Sequence, residues 1–210
     1  MTSLLRSRRR VLGAAACLVP LAGCSLLFPP SAPQLYRLTP QSADAPHGPL
    51  VRSQLVVDAP TAPESLDTDR IALTRNQIQL DYFASSAWTD TAPRLLQGLL
   101  IDAFQSSGRI VAVGRGSSDL NPDYLLETDL RDFQARYAGS GNQPPTSVVT
   151  VDAELVQMPG RRVIGSILAA KEAPASRNDL DSIVEAFDAA TGEVISQIVD
   201  WTLGRMVRGR

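Results

Sequence analysis

The chain has 210 residues, of which 44% are hydrophobic and 20% charged, with a formal net charge of −2. Such a length and composition fit one globular domain with a real core. Residues 1–23 hold Arg6, Arg8, Arg9 and Arg10 and no acid; without them 16 basic side chains face 22 acidic ones, a formal −6. A domain of that sign speaks against nucleic acid, whose phosphates call for a basic face, and against adhesion to anionic lipid by charge alone.

The first segment is a targeting signal and stays out of the fold. The basic stretch Arg6–Arg10 gives way to the apolar run Val11–Val19, too short for a bilayer span of about 20 residues. It ends in Leu21-Ala22-Gly23-Cys24. Ala22 and Gly23 are small enough to lie extended in a peptidase groove, and the Cys24 thiol is the acceptor for diacylglycerol. The quartet matches the lipobox of bacterial lipoproteins, so residues 1–23 read as a signal peptide and Cys24 as the lipidation site, carrying palmitate. Export runs by the Sec route or, since Ser7-Arg8-Arg9-Arg10-Val11-Leu12 resembles the twin-arginine signature, by that one. Ser25, in place of an aspartate retention signal, points to the periplasmic face of the outer membrane. Cys17 leaves with the signal and Cys24 is consumed by lipid, so the mature part has no thiol for a disulfide, a metal or a nucleophile.

Residues 24–33 read as a lipidated tether, stiffened by Pro29, Pro30 and Pro33, and residues 34–210 as the domain. Leu35–Thr39 is a short strand candidate, and Pro40–Pro49, which contains His47, is a loop. Gln54–Asp58, Ile71–Leu73 and Gln77–Tyr82 follow as strands, with Arg75-Asn76 as a turn. The period then becomes helical: Leu95, Leu96, Leu99, Leu100, Ala103 and Phe104 share a face that leaves Gln97 outside it. Thr91 or Asp90 suits the cap, Pro93 the first turn and Gly108 the end. Arg109–Val113 is a buried strand. Tyr124, Leu126, Thr128 and Leu130 alternate with polar partners, as do Val149, Val151, Ala153 and Leu155, and Pro159-Gly160 turns into Arg162–Ala170. Leu180, Ile183, Val184, Phe187, Thr191, Val194, Ile195, Ile198 and Trp201 predict a helix over 179–203, bent near Gly192. The expected fold is α+β, an antiparallel sheet with two helices packed on one face.

Chemistry is sparse. His47 has no serine-and-acid setting around it. Gly114-Arg115-Gly116 lacks the third glycine and the helix a dinucleotide needs, so it reads as a turn. Asp67, Asp69, Asp179 and Asp181 read as solvated loop and helix-start charges. There is no P-loop and no metal set, so no cofactor is expected and the chain is not expected to be an enzyme.

Tyr36-Arg-Leu-Thr-Pro40 soon after the lipobox resembles the Tyr-x-Leu-x-Pro opening of the ABC-type transport auxiliary lipoproteins, of the paraquat-inducible-protein C type. Leu73-Thr-Arg75 with Gln77-Ile78, Trp88 five residues before Pro93-Arg94-Leu95, and Phe187 with Gln197-Ile-Val-Asp-Trp201 resemble further landmarks of that family. The likeness covers essentially the whole mature chain. It departs in having one tyrosine at the opening, where many members have two, and in the polar approach from Tyr82-Phe83 to Trp88.

The resemblance implies an outer-membrane partner of an ABC permease and ATPase and a mammalian-cell-entry (MCE) domain protein, in phospholipid transport across the periplasm. It leaves a bound phospholipid and a homo-oligomer open. Trp88 and Leu95 keep two readings, core residues under the sheet or contacts for partner or lipid. The alternative function is a stand-alone envelope assembly or ligand-binding lipoprotein.

Overall fold

The computed structural model describes residues 32–40, 48–76, 78–116, 121–139 and 143–208. The lipobox with Cys24, His47 and Gln77 lie outside them. The described residues form β1 (Gln34–Tyr36), β2 (Val51–Val57), β3 (Arg70–Asn76), β4 (Gln79–Trp88), α1 (Ala92–Ser106), β5 (Ile110–Arg115), β6 (Tyr124–Arg136), β7 (Thr146–Gln157), β8 (Arg162–Pro174) and α2 (Leu180–Arg208).

The sheet is organised on β6. Along one edge β7 runs antiparallel to it over its whole length, from Tyr124↔Gln157 to Arg136↔Thr146, and β8 runs antiparallel to β7. Two short strands share the other edge end to end, both parallel to β6. β2 pairs with its start, Leu55↔Tyr124 to Val57↔Leu126, and β3 with its end, Ala72↔Gln134 to Thr74↔Arg136. Between them Thr61 bridges to Asp129. Its N–H donates to the Thr128 carbonyl at 2.9 Å, and its carbonyl accepts from the Leu130 N–H at 2.8 Å. Beyond this point the sheet forks. One arm adds β5, parallel to β2; the other adds β4, antiparallel to β3, and then β1, parallel to β4.

The expected antiparallel sheet therefore holds for β6–β7–β8 and for β3–β4 but not for the whole, which is mixed. The cause is connection length. Residues 158–161 turn β7 directly into β8, which obliges antiparallel pairing, whereas a hairpin and α1 intervene between β2 and β5 and return the chain to lie parallel. Alternation in sequence reports which face is buried and carries no strand direction.

Both helices pack on the same core. Trp88 of β4, Phe133 of β6 and Phe187 of α2 meet at its centre, with ring centroids 5.0 to 5.5 Å apart. Each such side chain contributes about 2–3 kcal/mol by burial, and here the triad joins one arm of the fork to the central strand and the long helix. The opposite face of β6–β8 is a ladder of cross-strand charge pairs. Arg161 reaches Glu127 at 2.6 Å, Arg131 reaches Asp152 at 2.7 Å and Arg136 reaches Glu172 at 2.8 Å. The main core runs from Leu38 to Met206, so the unit Ala32–Arg210 contains it entire.

The helices follow their sequence signals closely. α1 carries proline in its first turn, with Thr91 at the N-cap position, and Gly108 supplies the left-handed residue after its end at φ 61°. The Thr91 side chain makes no capping bond; instead the Asp90 carboxylate accepts from the Thr91 N–H at 2.8 Å. Gln97, expected off the apolar face, is buried. Its amide donates to the Val57 carbonyl at 3.1 Å, tying α1 to β2. α2 is one continuous helix through the buried Gly192 and extends beyond Leu203 to Arg208.

Candidate functional site

Residues 36–39 are clipped to α2. In the extended segment 36–39, the Tyr36 hydroxyl donates to Asp181 at 2.8 Å. The Thr39 N–H and hydroxyl donate to the two oxygens of Asp188 at 2.7 and 2.5 Å. The spacings agree: three extended residues and seven helical ones each advance about 10 Å, so one strand-like step matches two turns. Between the two bonds Leu38 enters the core, 5% exposed. Burial, then the bond to Asp181 and the charges of Asp181 and Asp179, push the Tyr36 hydroxyl up to about 12. Asp179 closes the N-terminus of α2. It accepts from the Ser182 N–H at 2.9 Å and from Arg177 at 2.7 Å, and these bonds hold its carboxyl down at about 2.

Trp88 is a core residue, 1% exposed, and offers no surface to a partner. Its indole N–H has no acceptor among the described residues. Leu95 is half-buried and packs against the same core. Asp181 and Asp179 belong to the clip and the cap, while Asp67 and Asp69 stand exposed. Gly114 and Arg115 close β5, followed by Gly116. Among the described residues no group of three or more His, Cys, Asp or Glu is arranged to hold a metal, and no helix is long and apolar enough to cross a membrane.

Two surface depressions among the described residues are of note. The first, about 310 Å³, lies at the fork and is lined by Asp58, Thr61, Glu127, Asp129, Arg131 and Asp152 among others; the ion pairs of the charge ladder already occupy several of its acids. The second, about 300 Å³, lies between the start of β8 and the end of α2 and is lined by Gln157, Arg162, Val163, Ile164, Arg205 and Arg208. The sequence reading missed the partners in the clip and the second depression alike. A spacing of seven between Asp181 and Asp188 was a usable signal for the clip. Arg162 is more than 40 residues from Arg205 and Arg208, and only the fold brings it to them.

The family model for the ABC-type transport auxiliary lipoprotein component matches residues 36–199. The chain is 28% identical over 165 residues to the uncharacterised protein bll6063 of Bradyrhizobium diazoefficiens, an alignment that takes in 79% of this chain and 43% of that one. It thus spans less than half the length of that curated relative. Among solved structures, the protein XCC0632 from Xanthomonas campestris, of the family DUF330, is 29% identical with a TM-score of 0.78, covering 84% of this chain and 98% of that one. A second crystal structure, of an uncharacterised protein, shares the fold at 17% identity and a TM-score of 0.63, covering 81% and 98%.

Proposed function

The chain belongs to the family of ABC-type transport auxiliary lipoprotein components, and from that premise we propose that it serves a transporter working with an MCE-domain protein in phospholipid transport across the periplasm. Cys24 holds it on the periplasmic face of the outer membrane, and it acts by binding rather than by catalysis. The observation that carries this reading is one of order. The lipobox ends at Cys24, the family match opens at Tyr36, and that opening motif is the segment clipped to α2. A chain emerging from its lipid anchor thus enters the domain at a fixed point, which suits a component that presents one surface to a partner.

The test is affinity capture of the tagged lipoprotein from envelopes solubilised in mild detergent, with partners identified by mass spectrometry. An MCE-domain protein should be recovered with the permease and ATPase, and a deletion strain should have a weaker outer-membrane barrier. Recovery of none of these, with the barrier unchanged, would leave a stand-alone assembly lipoprotein as the better reading.

A further inference from the structure

The depression at the end of α2 runs against the charge of the domain around it. Three guanidinium groups, from Arg162 on β8 and from Arg205 and Arg208 on α2, line about 300 Å³ with no carboxylate among the lining residues. Three arginines elsewhere on or beside the same sheet, Arg131, Arg136 and Arg161, are matched to acids across the strands, at 2.6 to 2.8 Å. Here, among the described residues, the contact is with an amide: Arg162 donates to Gln157 Oε1 at 2.6 Å. Helix-end arginines are common because they complement the negative end of the helix dipole. That accounts for Arg205 and Arg208 in the last turn but not for Arg162, which stands opposite on a strand.

Two of the three groups lie close over glycine backbone. The guanidinium of Arg205 and the indole of Trp201 lie over Gly165, 3.5 and 3.4 Å from where its Cβ would stand, and Arg208 folds back to 3.7 Å from the corresponding point of Gly204. Arg205 also sits 6.0 Å from the Trp201 ring centre, within cation–π range. Flat guanidinium groups carry forked donors that match phosphate oxygens two at a time. The wall is not all polar, since Val163 is 54% exposed and Ile164 lies beside it.

We propose that this depression binds a phosphate group, carried on the headgroup of an anionic phospholipid or free in solution, with Arg162, Arg205 and Arg208 as its donors. The phosphate supplies the charge the pocket lacks, and Val163 with Ile164 offers contact to the glycerol end of a lipid. The proposal deepens the transport reading by naming where a phospholipid touches the chain, and rests on that reading only for the lipid source.

The test uses the unit Ala32–Arg210, which holds the whole core, titrated calorimetrically with short-chain phosphatidylglycerol below its micelle concentration and separately with inorganic phosphate. Saturable binding of the lipid alone, or of both ligands, supports the site with lipid as source; binding of phosphate alone supports it with the free ion as source. In each case Arg162→Gln and Arg205→Gln should each weaken binding about tenfold, as for one lost charge-assisted hydrogen bond. Arg94→Gln, an exposed arginine on α1, should leave it unchanged. Binding of neither ligand, or equal weakening by Arg94→Gln, overturns the proposal. These variants leave the capture experiment untouched, so an MCE-domain protein recovered alongside a failed titration would remove the pocket and keep the transport reading.

Discussion

Asp179 is a single carboxylate on which the start of a 29-residue helix depends. Its ionised form accepts from the Ser182 backbone and from Arg177, and its carboxyl is lowered from 3.8 to about 2. Folding therefore favours the charged form. The stability this group contributes is present above the ordinary carboxylate range and is lost as pH falls through about 2. Asp179→Asn should lower the melting temperature at neutral pH, and the gap to the unmodified protein should narrow steadily from pH 4 to pH 2. A gap of constant size across that range would mean the charge is not what matters. This role was legible, since an acid before an apolar-periodic run reads as a helix start. The partnership of Thr39 with Asp188 was not, because the two stand 149 residues apart and nothing local marks them as a pair.

Of the elements, α1 was the easiest to read and still held one error. Its apolar face and glycine end follow the sequence, yet Gln97 is inside. A glutamine contributes a polar symbol to any pattern, while its amide can be buried if an acceptor is waiting, here the Val57 carbonyl. Leu99→Asp should cost about 3 kcal/mol or more by placing a charge in the interface, and Gln97→Ala about 1 kcal/mol by orphaning a carbonyl. Gln105→Asp, on the exposed side, should cost under about 1 kcal/mol. Chemical denaturation of the three variants ranks them directly, and equal costs at Leu99 and Gln105 would mean the helix faces another way. Most strands were legible as strands, although Arg75-Asn76, expected as a turn, ends β3, and β5, expected to be buried, is half-buried with Val111 exposed. Their directions were not, because direction is decided by the connections between them.

At the scale of the whole molecule the anchor and the domain make separate demands. The anchor hypothesis rests on the Leu-Ala-Gly-Cys quartet, and Cys24→Ala should abolish palmitate incorporation and release or mislocalise the product; labelling that persists would remove Cys24 from its role. The fold adds a demand of its own, and it concerns time. β2 and β3 pair early with β5 and β4, but each has a second edge that only β6 covers, with Leu55 opposite Tyr124 and Ala72 opposite Gln134. In a chain that emerges N-terminus first, each strand keeps that one backbone edge open until β6 has followed. Pairings of 69 and 62 residues' separation close slowly compared with a hairpin, and an unpaired strand edge is open to the wrong partner meanwhile. The forked sheet thus leaves β2 and β3 each with an uncovered edge until β6 is complete at residue 136.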